Sequence, residues 1–382
     1  MYPRILEINI PSTISDNVTL STMHGCPPEE IEKIATHLME DWKFHTTIKL
    51  NPTLLGVDKL RWILNKKLNY DVEVPDSAFD HDLKYDDAKV LIKRLTECSI
   101  KNEVEFNLKL TNTLETNNQN TSLPGNEKVV YLSGKALHPI SVNLAYKLQN
   151  EFDGELDVSF SAGVDAFNFT DVVSCNLKPA TVCSDLLKPG GYSRLKQYLS
   201  SLSTEMEKYS SNTIDDFIKA KGNSSNIKEA ALHNLKKYSE EVVESAKYKK
   251  NMFFKNSIKT KRKLTPLDCI GAPCVETCAI KQDIPDYLFQ TANKNFEEAY
   301  KIILNENPLP GITGMVCDHL CESKCTRMNI DNSIAIRDVK RFIAESNSTI
   351  PITAIESKDK TKVAIIGAGP SGLSAAYFLA MN

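Results

Sequence analysis

Short apolar runs alternate with helix-periodic segments over the first half of the chain. The candidate strands are Val18–Ser21, Thr46–Leu50, Asp71–Val74, Val104–Leu110, Asp157–Ser161 and Ala180–Cys183. Between the first two, Pro27-Pro-Glu-Glu-Ile-Glu-Lys-Ile-Ala-Thr-His-Leu opens with proline and acids. It then places Ile31, Ile34, Ala35 and Leu38 at helical spacing, which predicts an amphipathic helix. Repeated strand–helix units predict a parallel sheet covered by helices, an α/β fold. From Gly190 to Lys263 the pattern turns polar and helical, broken by Ser/Asn clusters. Further on, Phe296, Ala299, Tyr300 and Ile303 share one helical face, as do Ile336, Val339 and Ile343. Last come an apolar run from Val363 that reads as a strand, a glycine-rich turn and a helix start.

The sheet is either open or closed into a barrel. Polar residues gather at strand C-termini: Lys49 and Asn51, then Lys109, Asn112 and Thr113, then Cys183 and Ser184. Both architectures put their ligands at those ends. Six candidate strands fall short of the eight that a complete barrel needs. The pattern divides the chain into strand–helix units over 1–205, a helical connector over 206–255, a helical region over 256–350 and a last segment over 351–382.

Composition narrows the function classes. A net charge of −3, with 25% charged residues, argues against a polyanionic partner, so nucleic acid is not expected. The basic run Lys259-Thr-Lys-Arg-Lys263 reads as a solvated linker. Ten cysteines with no secretory signal pattern point to a reducing cytoplasm. The uncharged run Val363–Asn382 carries three glycines and a proline, so no membrane span is expected there.

Six of the ten cysteines form two triplets, Cys269-x4-Cys274-x3-Cys278 and Cys317-x3-Cys321-x3-Cys325. Thiolates are soft ligands, and an iron–sulfur cluster needs several converging on one small volume. A disulfide framework belongs to small secreted domains, and structural zinc prefers C-x2-C knuckles. Iron–sulfur is the better reading of this spacing.

Both triplets, with Ala335-Ile-Arg-Asp-Val-Lys-Arg-Phe342 after them, resemble the helical ferredoxin domain of dihydropyrimidine dehydrogenase and the glutamate synthase small subunit. The resemblance implies [4Fe–4S] clusters, one or two. Cys269, Cys274 and Cys325 would serve one, and Cys278, Cys317 and Cys321 the other. Two positions depart from that pattern: Pro266 replaces a cysteine, and Arg341 stands where a glutamine ligand is expected. Asp268, Glu322 or a water is then the candidate fourth partner.

The N-terminal strand ends resemble the FMN barrel of dihydroorotate and dihydropyrimidine dehydrogenases. The stretches are Leu20-Ser-Thr-Met-His-Gly, Ile48-Lys-Leu-Asn, Leu108-Lys-Leu-Thr-Asn-Thr113, Leu132-Ser-Gly-Lys-Ala-Leu-His-Pro139, Phe160-Ser-Ala-Gly-Val164 and Ala180-Thr-Val-Cys-Ser184. In order, barrel, ferredoxin domain and dinucleotide start are similar to the selenate reductase iron–sulfur subunit family, which implies a partial TIM barrel over 1–205, a helical iron–sulfur domain over 256–350 and the start of a dinucleotide domain over 351–382. On this resemblance Gly134, Gly163 and Ser184 would hold an FMN phosphate, and Lys49 or Lys109 would contact the flavin. Asn112 and Thr113 would contact a heterocyclic substrate. Cys26, just ahead of a helix whose dipole is expected to lower its pKa, would be the general acid. The alternative is a barrel without flavin. Cys98 and Cys175 read as packing residues, and Cys183 as packed at a strand end.

Gly367-Ala368-Gly369-Pro370-Ser371-Gly372 is a GxGxxG turn between an apolar run and a helix. Gly367 allows the tight turn, Gly369 the approach of a pyrophosphate, and Gly372 the packing of helix on strand. By resemblance the dinucleotide is FAD, with NAD(P)H as electron donor. The acidic residue expected about 20 residues on is not reached, so the sequence reads as an internal piece of a larger oxidoreductase. Electrons would pass to a barrel-bound small molecule or to a partner redox subunit. A non-catalytic zinc or scaffold module is the remaining alternative.

Overall fold

The structure, a computed structural model, describes residues 15–22, 26–118, 128–188, 190–250, 272–329, 331–347 and 363–381. It divides into two compact units, 1–185 with 194–254, and 186–193 with 255–382.

In the first unit, β1 (Asn17–Ser21), β2 (His45–Leu50), β3 (Phe106–Leu110) and β6 (Val158–Phe160) form one parallel sheet in that order. A single parallel bridge, Phe160 to Ala180, continues the series. Between β3 and β6, β4 (Leu114–Asn117) and β5 (Val129–Leu132) pair as an antiparallel ladder, which the periodicity did not predict. Alternation along the strands sorts the two sheet faces. Ile48, Leu50, Leu108, Leu110, Val158 and Phe160 share one face and are buried. Helices Pro28–Glu40, Tyr85–Lys101 and Leu137–Glu151 pack on the sheet. Each such aliphatic side chain contributes roughly 1.5–3 kcal/mol by leaving water. The other face carries a register-aligned polar row, Ser21, Lys49, Lys109 and Ser159.

Two expected strands differ. Asp71–Val74 is irregular: side chains take the Val72 and Val74 carbonyls, while that of Glu73 accepts from the Asn117 amide at 2.8 Å. Asn65 donates to the carbonyls of Tyr70 and Val72, each at 2.8 Å, and Arg61 donates to that of Val74 at 2.6 Å. The β2-to-β3 crossover is therefore wholly irregular and helical. Ala180–Cys183 shrinks to the bridge at Ala180 before the chain enters a short 3-10 turn at Ser184–Leu187.

The stretch expected as a connector packs within the same unit as the sheet. Helix Ile227–Glu244 lies on helix Leu137–Glu151, and Asn226 caps it by accepting from the amides of Lys228 and Glu229. Buried Tyr238 reaches from it to His138.

The second unit is helical in its described part. Helices Ile284–Ala292, Phe296–Glu306 and Ile336–Ser346 share a core of Ile284, Tyr287, Ala299, Ile303, Ile336 and Ile343. Phe296 and Phe342 meet edge to face at 5.3 Å. Gly314 lets helix Pro310–Val316 cross tightly, since a Cβ there would sit 3.0 Å from the Arg341 Cα. Val363–Ile366, expected as a strand, has no ladder partner among the described residues and is exposed. One strand–helix unit has no neighbouring strand to pair with. Helix Pro370–Met381 follows it. No helix among the described residues is long and apolar enough to cross a membrane.

Candidate iron–sulfur centre and flanking sites

The described cysteines of both triplets sit in or at the ends of short helical segments. Cys278 closes helix Pro273–Thr277 and Cys317 closes helix Pro310–Val316, both in extended backbone. Cys321 and Cys325 bracket the 3-10 turn Glu322–Lys324. Cys278, Cys317 and Cys321 line one cavity of about 370 Å³, with Ile284, Tyr287, Ile336 and Lys340 in its wall. Cys274 is half-buried against the same core, whereas Cys325 does not line the cavity. Cys269, Asp268 and Pro266 lie outside the described residues.

The electrostatics of this pocket follow from crowding. Burial, then Glu322 and the neighbouring thiols Cys278, Cys317 and Cys274, pushes the Cys321 thiol up to about 12. A cationic centre inverts that penalty, because coordination deprotonates a thiol outright. Among the described residues no three Cys, His, Asp or Glu groups close on a single-ion position. Thiols spread around a cavity suit a cube of iron and sulfide, whose ligands stand on separate corners. The donor set and the apolar wall fit a [4Fe–4S] cluster.

Polar neighbours complete the picture. Lys340 is buried, and its Nζ donates to Cys317 Sγ at 3.5 Å. Arg337 donates to the Cys317 carbonyl at 3.3 Å. Arg341 instead turns outward and pairs with Glu345 at 2.7 Å. Glu322, a candidate fourth partner, is engaged on both oxygens, by His319 Nδ1 at 3.1 Å and by the Arg337 amide at 3.0 Å. Burial raises its carboxyl, and these two bonds outweigh that and hold it below the ordinary range.

In the sheet unit, Lys49 and Lys109 are half-buried register partners. Burial first, then Lys109, depresses the Lys49 pKa. Asn112 is buried and clasps three chain segments. Its Oδ1 accepts from Ser21 at 2.8 Å, and its Nδ2 donates to Asn51 Oδ1 at 2.7 Å and the Thr22 carbonyl at 2.9 Å. Thr113 is half-buried beside it. Cys26 departs from expectation, because burial and then Glu30 raise its pKa. Burial, more than the first-turn acid, sets a direction opposite to the lowering expected from the helix dipole. Met23, His24 and Gly25 lie outside the described residues. Cys98 is half-buried and Cys175 buried, whereas Cys183, expected to pack, is exposed.

Gly134 and Gly163 meet backbone to backbone: a Cβ on Gly163 would lie 2.4 Å from the Gly134 carbonyl oxygen. Gly163 has a φ of +60° and Gly134 of +68°, with open space around Gly134. Ser184 is exposed, next to buried Asp185, which Arg194 and Tyr198 hold at 3.1 and 2.7 Å. Nearby, buried Asp165 pairs with Lys247 at 2.9 Å and lies 3.8 Å from Lys135. FMN fits this corner only in part: Gly134 is open, but the carboxylate of Asp165 already faces the two local cations.

His138, which motif reading left without a role, anchors the corner from beneath. It is fully buried, donates from Nδ1 to the Ala162 carbonyl at 2.6 Å, and accepts at Nε2 from Tyr238 at 2.6 Å. Tyr248 stacks on it at 5.2 Å. Burial lowers its pKa to about 4, so the ring is neutral, as this bonding requires. An apolar run interrupted by one histidine was its only sequence signal.

At the glycine-rich turn, Gly367 has a φ of +100°, and a Cβ on Gly372 would lie 2.0 Å from the Gly367 carbonyl oxygen. Gly369 has nothing within 4 Å of the Cβ position, while Ala368, Pro370 and Ser371 are exposed. An open turn at a helix N-terminus fits a pyrophosphate.

Comparison with known proteins agrees with this arrangement. Residues 4–250 match the family described as the N-terminal TIM-barrel domain of oxidoreductase YgfK. Residues 242–350 match dihydropyrimidine dehydrogenase domain II, 4Fe-4S cluster. The oxidoreductase YgfK of Escherichia coli K12 is 37% identical over 379 residues, 98% of this chain and 35% of the relative. The NADPH-Fe(3+) oxidoreductase subunit beta of Geobacter sulfurreducens is 40% identical over 120 residues, 30% of this chain and 18% of that protein. The NAD-dependent dihydropyrimidine dehydrogenase subunit PreT of E. coli K12 is 35% identical over 115 residues, covering 29% and 28%. The chain thus spans about a third of the YgfK relative's length.

Proposed function

From a chain that belongs to the YgfK oxidoreductase family, as a TIM-barrel domain followed by a 4Fe-4S domain, we propose an electron-transfer role between an NAD(P)H-linked flavin site and an acceptor. The observation that carries this reading is the cavity ringed by Cys278, Cys317 and Cys321. A cluster bound there supplies one-electron transfer. The chain's own part is to hold it in an apolar wall that limits solvent, with Tyr287, Ile284 and Ile336 as the lining. Cys269, Cys274 and Cys325 are the proposed ligands of a second cluster.

Gly367, Gly369 and Gly372, with Ala368, Pro370 and Ser371, are the proposed FAD pyrophosphate turn, and NAD(P)H the proposed donor. Relatives named as subunits favour a partner redox subunit as one acceptor. A thiol-rich, cluster-bearing chain suits a reducing cytoplasm.

For the barrel, two readings stand on different observations. The paired Lys49 and Lys109 favour a flavin, since a cation stabilises negative charge on a reduced ring. In that reading Gly134, Gly163 and Ser184 hold its phosphate and Asn112 and Thr113 face a heterocycle. A raised pKa keeps Cys26 protonated, which suits a general acid. The Asp165 carboxylate between Lys135 and Lys247 favours a flavin-free docking domain instead.

Anaerobic reconstitution of the full-length protein, with iron, sulfide, FAD and FMN measured per chain, tests all of this. Iron with sulfide and FAD is expected. A colourless, zinc-bearing protein would overturn the electron-transfer reading, and FMN content decides between the two barrels.

A further inference from the structure

Lys340 is the one buried ammonium of the described cluster unit. Among the described residues no carboxylate lies within ion-pair distance of its Nζ, and its hydrogen bond goes to Cys317 Sγ at 3.5 Å. An ammonium placed beside a thiol favours the thiolate form, so this lysine suits an anionic centre in the cavity. Its neighbours on the same helix do not supply one. Arg341 pairs outward with Glu345, and Arg337 donates to the Cys317 carbonyl. Glu322 is already held by His319 and the Arg337 amide. Leu, Gln or Met at this position would complete the wall without a charge.

We propose that Lys340 is a potential-setting residue: its ammonium, hydrogen-bonded to Cys317, makes the site of Cys278, Cys317 and Cys321 easier to reduce. The physical reason is charge. Adding one electron makes a thiolate-ligated centre more negative, and a fixed cation at hydrogen-bond distance favours that form. Hydrogen bonds to cluster sulfurs and local charge are among the levers that spread such potentials. This inference rests on the cluster reading above, and the experiment separates the two.

The test is an EPR-monitored redox titration of the anaerobically prepared full-length protein, alongside Lys340→Met and Lys340→Arg. Lys340→Met is expected to keep iron and sulfide content and to move one reduced-state signal to lower potential. Lys340→Arg is expected to restore most of the shift, because it keeps the charge. Unchanged potentials in Lys340→Met at full iron content would overturn the proposal while leaving the cluster reading intact. Absence of iron from the unsubstituted protein would overturn the cluster reading itself. Should Lys340→Met lose its iron, the unsubstituted protein decides the matter with 15N-lysine labelling. A 15N coupling to the reduced centre in pulsed EPR supports the bond, and its absence overturns it.

Discussion

Lys49 and Lys109 are register partners on neighbouring parallel strands, so two ammonium groups emerge side by side on one face of the sheet. Strand register produces this pairing, and like charges so placed repel. Replacing Lys109 by Met is expected to raise the Lys49 pKa part of the way to its ordinary value, leaving the larger burial contribution in place. Carbon-detected NMR titration of labelled lysine checks this; an unmoved Lys49 would show that burial alone sets it.

The glycine corner predicts a contrast between two substitutions. Gly163→Ala forces a left-handed backbone and a contact of 2.4 Å with the Gly134 carbonyl. A cost of about 2–4 kcal/mol is expected from strain and overpacking together. Gly134→Ala meets open space and pays for conformation only, about 1–2 kcal/mol. Chemical denaturation of both variants measures the difference.

His138 makes stability depend on pH. Its folded pKa is about 4 against an ordinary 6.5, so between those values the unfolded chain binds a proton that the folded one does not. Stability is therefore complete above pH 6.5 and falls as pH drops toward 4, by up to about 3 kcal/mol. In His138→Phe this part of the acid limb is expected to flatten, although the lost bonds to Ala162 and Tyr238 lower stability at every pH. Urea midpoints between pH 4 and 7 report both effects.

Cysteine substitutions should sort by site. Cys321→Ser is expected to remove one reduced-state EPR signal, and Cys325→Ser a different one. Cys98→Ser, far from either triplet in sequence, should remove neither. Loss of the same signal from both cluster variants would reject the proposed grouping.

The α/β class and the helical cluster unit were legible in the sequence, because both follow from local rules. Alternation marked β1, β2, β3 and β6, and helical spacing marked the Ile303 and Ile343 faces. The thiol triplets were legible for the same reason, since ligand type and spacing are local. Asp71–Val74 failed as a strand because Asn65 and Arg61 capture its Val72 and Val74 carbonyls, a competition between side chain and backbone that propensity does not contain. Helix Ile227–Glu244 was separated from the barrel because a polar composition hid the contact of Tyr238 with His138.

What the linear order determined is which residues could carry chemistry: soft thiols in triplets, glycines at turns, and polar groups at strand ends. Tertiary structure decided which of them meet. Register put Lys109 beside Lys49, backbone contact put Gly163 on Gly134, and helix packing turned Lys340 rather than Arg341 toward Cys317. The reason is one of range. Identity and spacing act over a few bonds, whereas the electrostatic environment of a buried group is set by neighbours that only folding brings close.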